Sequence, residues 1–313
     1  VSRLRTHVVS LLAVMMALAV GVALGAGPLQ HDAATSPAAS GTEGPAPGPP
    51  QASVEVLERS AAASDAFALR VSRSMVKGTL EGRAVTVVQL PGAPRPVVRS
   101  LLDTVAQAEG RVVARVSLDE RLLDVSQRQL VGELGSQMAS APRTRVRVPE
   151  GAGDYERMGR LLTRALVSAE RGGDDADVAG RSISAGLETA GLLAPVSGAG
   201  RRGSLVLVVS GPPYGEEDQR VGAGTIVATL LAELARSADA VLLAGPVSAG
   251  SSEGLVAQVR TDPLSRDTVS TVDTADLAAG AVATVLGLAA DARGPSGHYG
   301  GSSAPGGALP PRH

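Results

Sequence analysis

The chain has 313 residues, 44% hydrophobic and 19% charged, with a net charge of −2. That is enough apolar material for a sizeable core, and it excludes a chain too polar to fold. The near-neutral balance offers no electrostatic footprint for nucleic acid. With no cysteine present, disulfides, iron–sulfur clusters and thiolate metal sites are excluded.

Aromatic residues make up 1% of the chain, so Ala, Val and Leu must build the core. Lys77 is the only lysine, Asn is absent, and Ile occurs only at Ile183 and Ile226. These residues use AT-rich codons, which points to a GC-rich genome, and Val1 then reads as a GTG start translated literally.

Residues 1–7 form a short basic segment carrying Arg3, Arg5 and His7. Residues 8–27 are uncharged and dominated by Val, Leu, Ala and Met. A bilayer core takes about 20 apolar residues as a helix, so this stretch predicts a transmembrane helix or signal anchor. Arg3 and Arg5 on its near side, with Asp32, Glu43, Glu55 and Glu58 before the next arginine at Arg59, orient the N-terminus inward and the rest outside the cytoplasm. A cleaved signal peptide is the alternative, with small residues around Ala23-Leu24-Gly25; its apolar region would ordinarily be shorter, about 7–15 residues. Either outcome exports the remainder of the chain.

Residues 28–53 are rich in Pro, Ala and Gly and read as a linker. Residues 54–293 alternate helical and strand patterns. Val54–Lys77 is helical by period. Ala84–Leu90 is a β-branched run ended by Pro91-Gly92. Val97–Glu109 predicts a helix closed by Gly110 in the left-handed position after its end. Arg111–Leu118 is a strand, and Asp119 caps helix through Leu134, with 136–149 as loop or irregular hairpin. Asp154–Ala169 carries Tyr155, Met158, Leu161, Leu162, Ala165 and Leu166 on one stripe. Ala179–Leu193 is a weaker helix, and Ser204–Ser210 the strongest strand. Helix 219–236, strand 239–244, helix 253–259, strand 268–272 and helix 276–290 complete the series.

Strands that are apolar without alternation, separated by helices, predict an α/β fold: a three-layer domain with a mainly parallel sheet, preceded by one N-terminal transmembrane helix. Residues 294–313 read as a flexible tail. The strands lack the alternation and aromatic girdles of a membrane barrel.

Chemistry-bearing motifs are sparse. Gly222-Ala223-Gly224 is the nearest approach to a dinucleotide loop, but it is far from the preceding strand and reads as glycines easing helix packing. Gly250-Ser251-Ser252-Glu253-Gly254 matches the nucleophile-elbow string, and Ser252, Asp273 and His298 follow hydrolase order. The strand ends too early for an elbow, so serine hydrolysis is the weakest reading and no catalytic residues are expected. Of four histidines, His7, His31, His298 and His313, His298 is the candidate metal ligand. His31 becomes one only if cleavage after Pro28 frees the amine of Leu29-Gln30-His31 for square-planar copper. The ligand set is unknown, and no cofactor is expected.

Four stretches together resemble a known family. They are Arg5-Thr6-His7-Val8-Val9-Ser10-Leu11-Leu12-Ala13-Val14 with Leu18–Gly25, Leu242-Leu243-Ala244-Gly245, Ser270-Thr271-Val272-Asp273, and Gly297-His298-Tyr299-Gly300. In this order they are similar to the actinobacterial copper transport outer-membrane protein family, that of the mycobacterial copper transport protein B. The resemblance implies a cell-envelope protein of copper homeostasis and resistance, with copper as the transported or bound ion. It also suggests outer-membrane placement, with the membrane and other envelope proteins as partners. Family members often carry a charged stalk after the span; here the low-complexity linker replaces most of it, leaving the oligomeric state open. The rival reading is a structural or interaction protein of the envelope without a metal role.

Overall fold

A computed structural model describes residues 51–144, 146–301 and 304–310. Residues 1–50, with the expected membrane segment, Arg3, Arg5, His7 and His31, lie outside the described residues, as does His313. No described helix is long and apolar enough to cross a membrane.

The chain opens with α1 (Gln51–Val76), then β1 (Ala84–Gln89), α2 (Arg95–Gln107) and β2 (Arg111–Leu118). Short α3 (Glu120–Leu123), one 3-10 turn and α4 (Arg128–Ser140) follow, then α5 (Asp154–Leu166). Next come β3 (Asp174–Asp175), α6 (Val178–Thr189), β4 (Leu193–Ser197), β5 (Arg201–Arg202) and β6 (Leu205–Val209). The last part holds α7 (Glu217–Ala235), β7 (Ala240–Ala244), α8 (Leu255–Thr261), β8 (Ser270–Val272), α9 (Ala278–Asp291) and β9 (His298–Tyr299).

Seven strands form one sheet in the order β4-β2-β1-β6-β7-β8-β9. All neighbours are parallel except β2 and β4. The central strands show why the apolar runs do not alternate: β6 and β7 are buried at every residue, because both faces of the sheet are covered. Val206, Val208, Val241 and Leu243 point to a core shared with Leu161 and Leu162 of α5, Ile226 and Leu230 of α7, and Val256 of α8. Leu205, Leu207, Leu242 and Ala244 point the other way, to Leu101 and Val105 of α2 and Val285 and Leu288 of α9. The mainly parallel three-layer expectation is therefore met.

The α5 stripe is buried at Met158, Leu161, Leu162, Ala165 and Leu166. Asp119 caps a helix as expected, its carboxylate accepting the Arg121 N–H. That helix stops at Leu123, however, where Asp124 turns extended and caps a 3-10 turn, and helix resumes only at Arg128. Several expectations need correction. Helix continues to Ser140, where a loop was expected from residue 136, because Met138 packs into the core. The left-handed residue after α2 is Glu109 (φ 64°), not Gly110. Gly110 serves a different need, since a Cβ there would lie 3.0 Å from the Leu80 side chain. Two edge elements were not anticipated. β4 is an antiparallel edge strand with Pro195 in it, and the short ribbon β3–β5 pairs Asp174 with Arg202. The stretch after 293 is not uniformly loose: His298 and Tyr299 add the seventh strand beside β8, and Tyr299 is only 6% exposed. The domain thus extends past the expected boundary.

Candidate functional site

β8 is three residues long and wholly buried between β7 and β9. It carries Ser270, Thr271 and Val272, with Asp273 in the turn that follows, and β9 lays Gly297, His298, Tyr299 and Gly300 alongside. The two strings thus meet edge to edge, and one cation from a third element joins them. Arg260, in the last turn of α8, is 8% exposed at its side chain, and Asp273 is 4% exposed. The Arg260 guanidinium donates to Asp273 Oδ2 at 2.7 Å, to Thr271 Oγ1 at 2.8 Å and to the Tyr299 carbonyl at 2.7 Å. The other Asp273 oxygen accepts the Gly301 N–H at 2.6 Å. A buried ion pair is tolerated when its remaining hydrogen-bonding capacity is met in this way.

The backbone is shaped around that carboxylate. Gly300 sits at φ 124°, and a Cβ there would stand 1.9 Å from Asp273 Oδ1. Only glycine admits that conformation and that approach.

His298 closes the network. Its Nδ1 lies 3.0 Å from Thr271 Oγ1, and its Nε2 lies 2.9 Å from the Arg266 carbonyl. Because a carbonyl only accepts, Nε2 carries the proton, and Nδ1 accepts from the Thr271 hydroxyl. Thr271 in turn accepts from Arg260. Both ring nitrogens therefore have protein partners, and a metal ion at either would displace one. Burial pushes the imidazole below its ordinary value; the Arg266 carbonyl opposes this, and nearby Arg260 adds to it.

Ser270 accepts the Gly297 N–H at 3.0 Å and also faces Asp291, at the end of α9. Burial raises the Asp291 carboxyl to about 7, against hydrogen bonds from Ser270 and the Val241 backbone that lower it. Its Oδ2 is buried without a partner, and the partial negative charge of a helix C-terminus disfavours a carboxylate there. Near neutral pH this group sits at the balance between acid and carboxylate.

Ser252 lies on an exposed turn after the 3-10 segment Val247–Gly250 and shares no hydrogen bond with His298. Asp273 and His298 are neighbours in one network, but Asp273 serves Arg260 and not the imidazole. No Ser–His–Asp relay is formed among these residues. Gly222 and Gly224 lie within α7. A Cβ on Gly224 would fall 1.6 Å from Gln258 of α8, and one on Gly222 2.2 Å from Val125. They let α7 approach its neighbours, and form no phosphate loop. Among the described residues no group of three or more His, Cys, Asp or Glu side chains is placed to hold a metal ion.

Strand order reverses between β1 and β6, the place where open α/β sheets form ligand crevices. Here the two loops press together: a Cβ on Gly211 would stand 2.2 Å from the Gly92 carbonyl. On the α7 side lies a cleft of about 590 Å³ lined by Glu120, Asp124 and Tyr214 among others. Both of its arginines are paired, Arg121 with Asp119 at 2.8 Å and Arg220 with Glu253 at 3.2 Å.

Arg260 was not singled out by sequence reasoning, although a signal existed. It falls in the short apolar helix after Leu255, Val256 and Val259, and a cation there calls for a buried partner.

The family model described as "Copper transport outer membrane protein, MctB" matches residues 3–310. The chain is 29% identical over 308 residues to the proteins named "Copper transporter MctB" from Mycobacterium bovis and from Mycobacterium tuberculosis, the alignment covering 95% of this chain and 95% of each relative. The match spans the strings that meet at β8 and β9, and the chain belongs to the MctB family of copper transport outer membrane proteins.

Proposed function

We propose that the protein acts in copper transport and homeostasis from the cell envelope, with its α/β domain outside the cytoplasm, limiting the copper that accumulates inside the cell. The observation that carries this reading is the family match over residues 3–310. The uncharged stretch of residues 8–27 behind Arg3 and Arg5 supports anchoring and orientation by its fit to a bilayer and by the positive-inside bias.

Within this reading the Arg260–Asp273–His298 network is architectural. It holds the C-terminal segment on the sheet, and copper passes through partners or transient surface contacts and not through a closed site at His298. A structural envelope role without metal is favoured by one specific observation, the engagement of both His298 nitrogens.

Copper tolerance separates the two. A deletion strain is expected to stop growing at lower copper, with rescue by the full chain; unchanged tolerance would favour the structural role. For placement, a reporter enzyme active only outside the cytoplasm, fused after Ser53, is expected to be active, and an inactive but folded fusion would reverse the orientation.

A further inference from the structure

On the other side of the switch point, a cavity of about 670 Å³ opens between the carboxyl ends of β1 and β2 and the first turns of α2. Register explains its lining. Val87 pairs with Arg115 and Gln89 with Ser117, and Val87 points into the core beneath α2. By the two-residue period of a strand, Arg115, Gln89 and Ser117 therefore present polar groups to the helix where apolar ones would ordinarily pack. Arg95 and Arg99, one turn apart on α2, line the same cavity.

Three features give this cavity one electrostatic character. None of its lining residues is acidic, in contrast to the mixed cleft across the switch point. Arg95, Arg99 and Arg115 form no ion pair among the described residues, whereas both arginines of the cleft across the switch point do. Two donors are buried with no acceptor, Arg115 Nε and Gln89 Nε2. Buried polar groups are nearly always satisfied, so these two nitrogens mark hydrogen-bonding capacity that folding leaves unmet beside the cavity. The N-terminus of α2 adds to the field: Pro94 stands at the N-cap and supplies no side-chain cap, leaving the positive end of the helix open.

We propose that this cavity binds an oxyanion, a phosphate or polyphosphate group held by Arg95, Arg99 and Arg115 with Gln89 as a further donor. Planar guanidinium groups match such oxygens in paired hydrogen bonds. The group comes either from a small soluble phosphoester or from the headgroup of an anionic lipid. The site goes beyond the copper reading and does not depend on it.

The test is calorimetric titration of the full chain, purified in neutral detergent, with inorganic pyrophosphate at low salt. A parallel arm measures co-sedimentation with phosphatidylglycerol vesicles against phosphatidylcholine vesicles. Saturable binding in either arm is expected, weakened by about tenfold or more in Arg99→Glu and in Arg115→Gln. Arg99 is exposed, so its variant folds normally. Arg293→Glu, on the exposed surface elsewhere, is expected to bind as the parent does. Pyrophosphate binding identifies a soluble ligand, and binding to the anionic vesicles alone identifies a headgroup. No saturable binding in either arm, or an equal loss in Arg293→Glu, would overturn the proposal.

Discussion

At the β8–β9 end of the sheet, Arg260 and Asp273 are withdrawn from water and each guanidinium nitrogen has an acceptor. At the β1–β2 end, Arg95 and Arg99 remain exposed, and Arg115 keeps a buried nitrogen without a partner. The two ends belong to one sheet and use the same residue type. In the first, charge fixes backbone: it ties a helix end, a strand end and a glycine-rich segment into one arrangement. In the second, charge is left over after folding. A buried pair contributes little net stability over an apolar replacement, yet breaking it by removing one partner is severe. An unpaired exposed arginine contributes almost nothing to folding and is available for binding.

Mutations measure that contrast. Asp273→Ala strands Arg260 without its counter-ion and frees the Gly301 N–H, and is expected to cost about 3–5 kcal/mol in urea unfolding. A cost under about 1 kcal/mol would place the pair with ordinary surface bridges and erase the distinction.

Asp291→Asn comes next, and its effect depends on pH. The folded-state carboxyl titrates at about 7 against 3.8 unfolded. Its stabilising protonation is complete below the lower value and is lost as pH rises through the upper one. The parent should therefore lose about 2 kcal/mol from this group between pH 4 and 8, allowing for its partial exposure. The amide, which mimics the neutral acid, should be flat over that range. Parallel unfolding profiles for the two proteins would contradict the assignment.

His298→Ala removes two hydrogen bonds and is expected to cost about 1–2 kcal/mol at pH 7.5. Here the sign runs the other way. The imidazole is held below its ordinary 6.5, so its contribution is present above that value and fades as pH falls, when a protonated ring can no longer accept from Thr271. The gap between parent and variant should narrow at pH 5; a gap that widens would mean that the charged ring is the stabilised form. Smallest of all, Arg99→Ala should change stability by less than about 0.5 kcal/mol, and a cost like that of Asp273→Ala would show that the two ends are built alike.

The central strands were legible because burial on both faces writes itself as continuous apolar runs, Leu205–Val209 and Ala240–Ala244 above all. The edges were not. β4 contains Pro195 and is exposed along most of its length, so neither period nor propensity marks it. β9 is two residues in a glycine-rich stretch, held by contacts from β8 and α8 that no local pattern shows. The same holds at the site. The strings at Ser270–Asp273 and Gly297–Gly300 stood out by resemblance, but what joins them is Arg260, remote in sequence from β9. Long-range pairing of one charge with one carboxylate leaves almost no trace in spacing.

Cell-associated copper, measured by mass spectrometry at fixed external copper, tests the functional reading most directly. Deleting the gene should raise the copper content, and the full chain supplied in trans should return it to the parental level. Equal copper in deleted, parental and complemented cells would contradict a role in copper homeostasis.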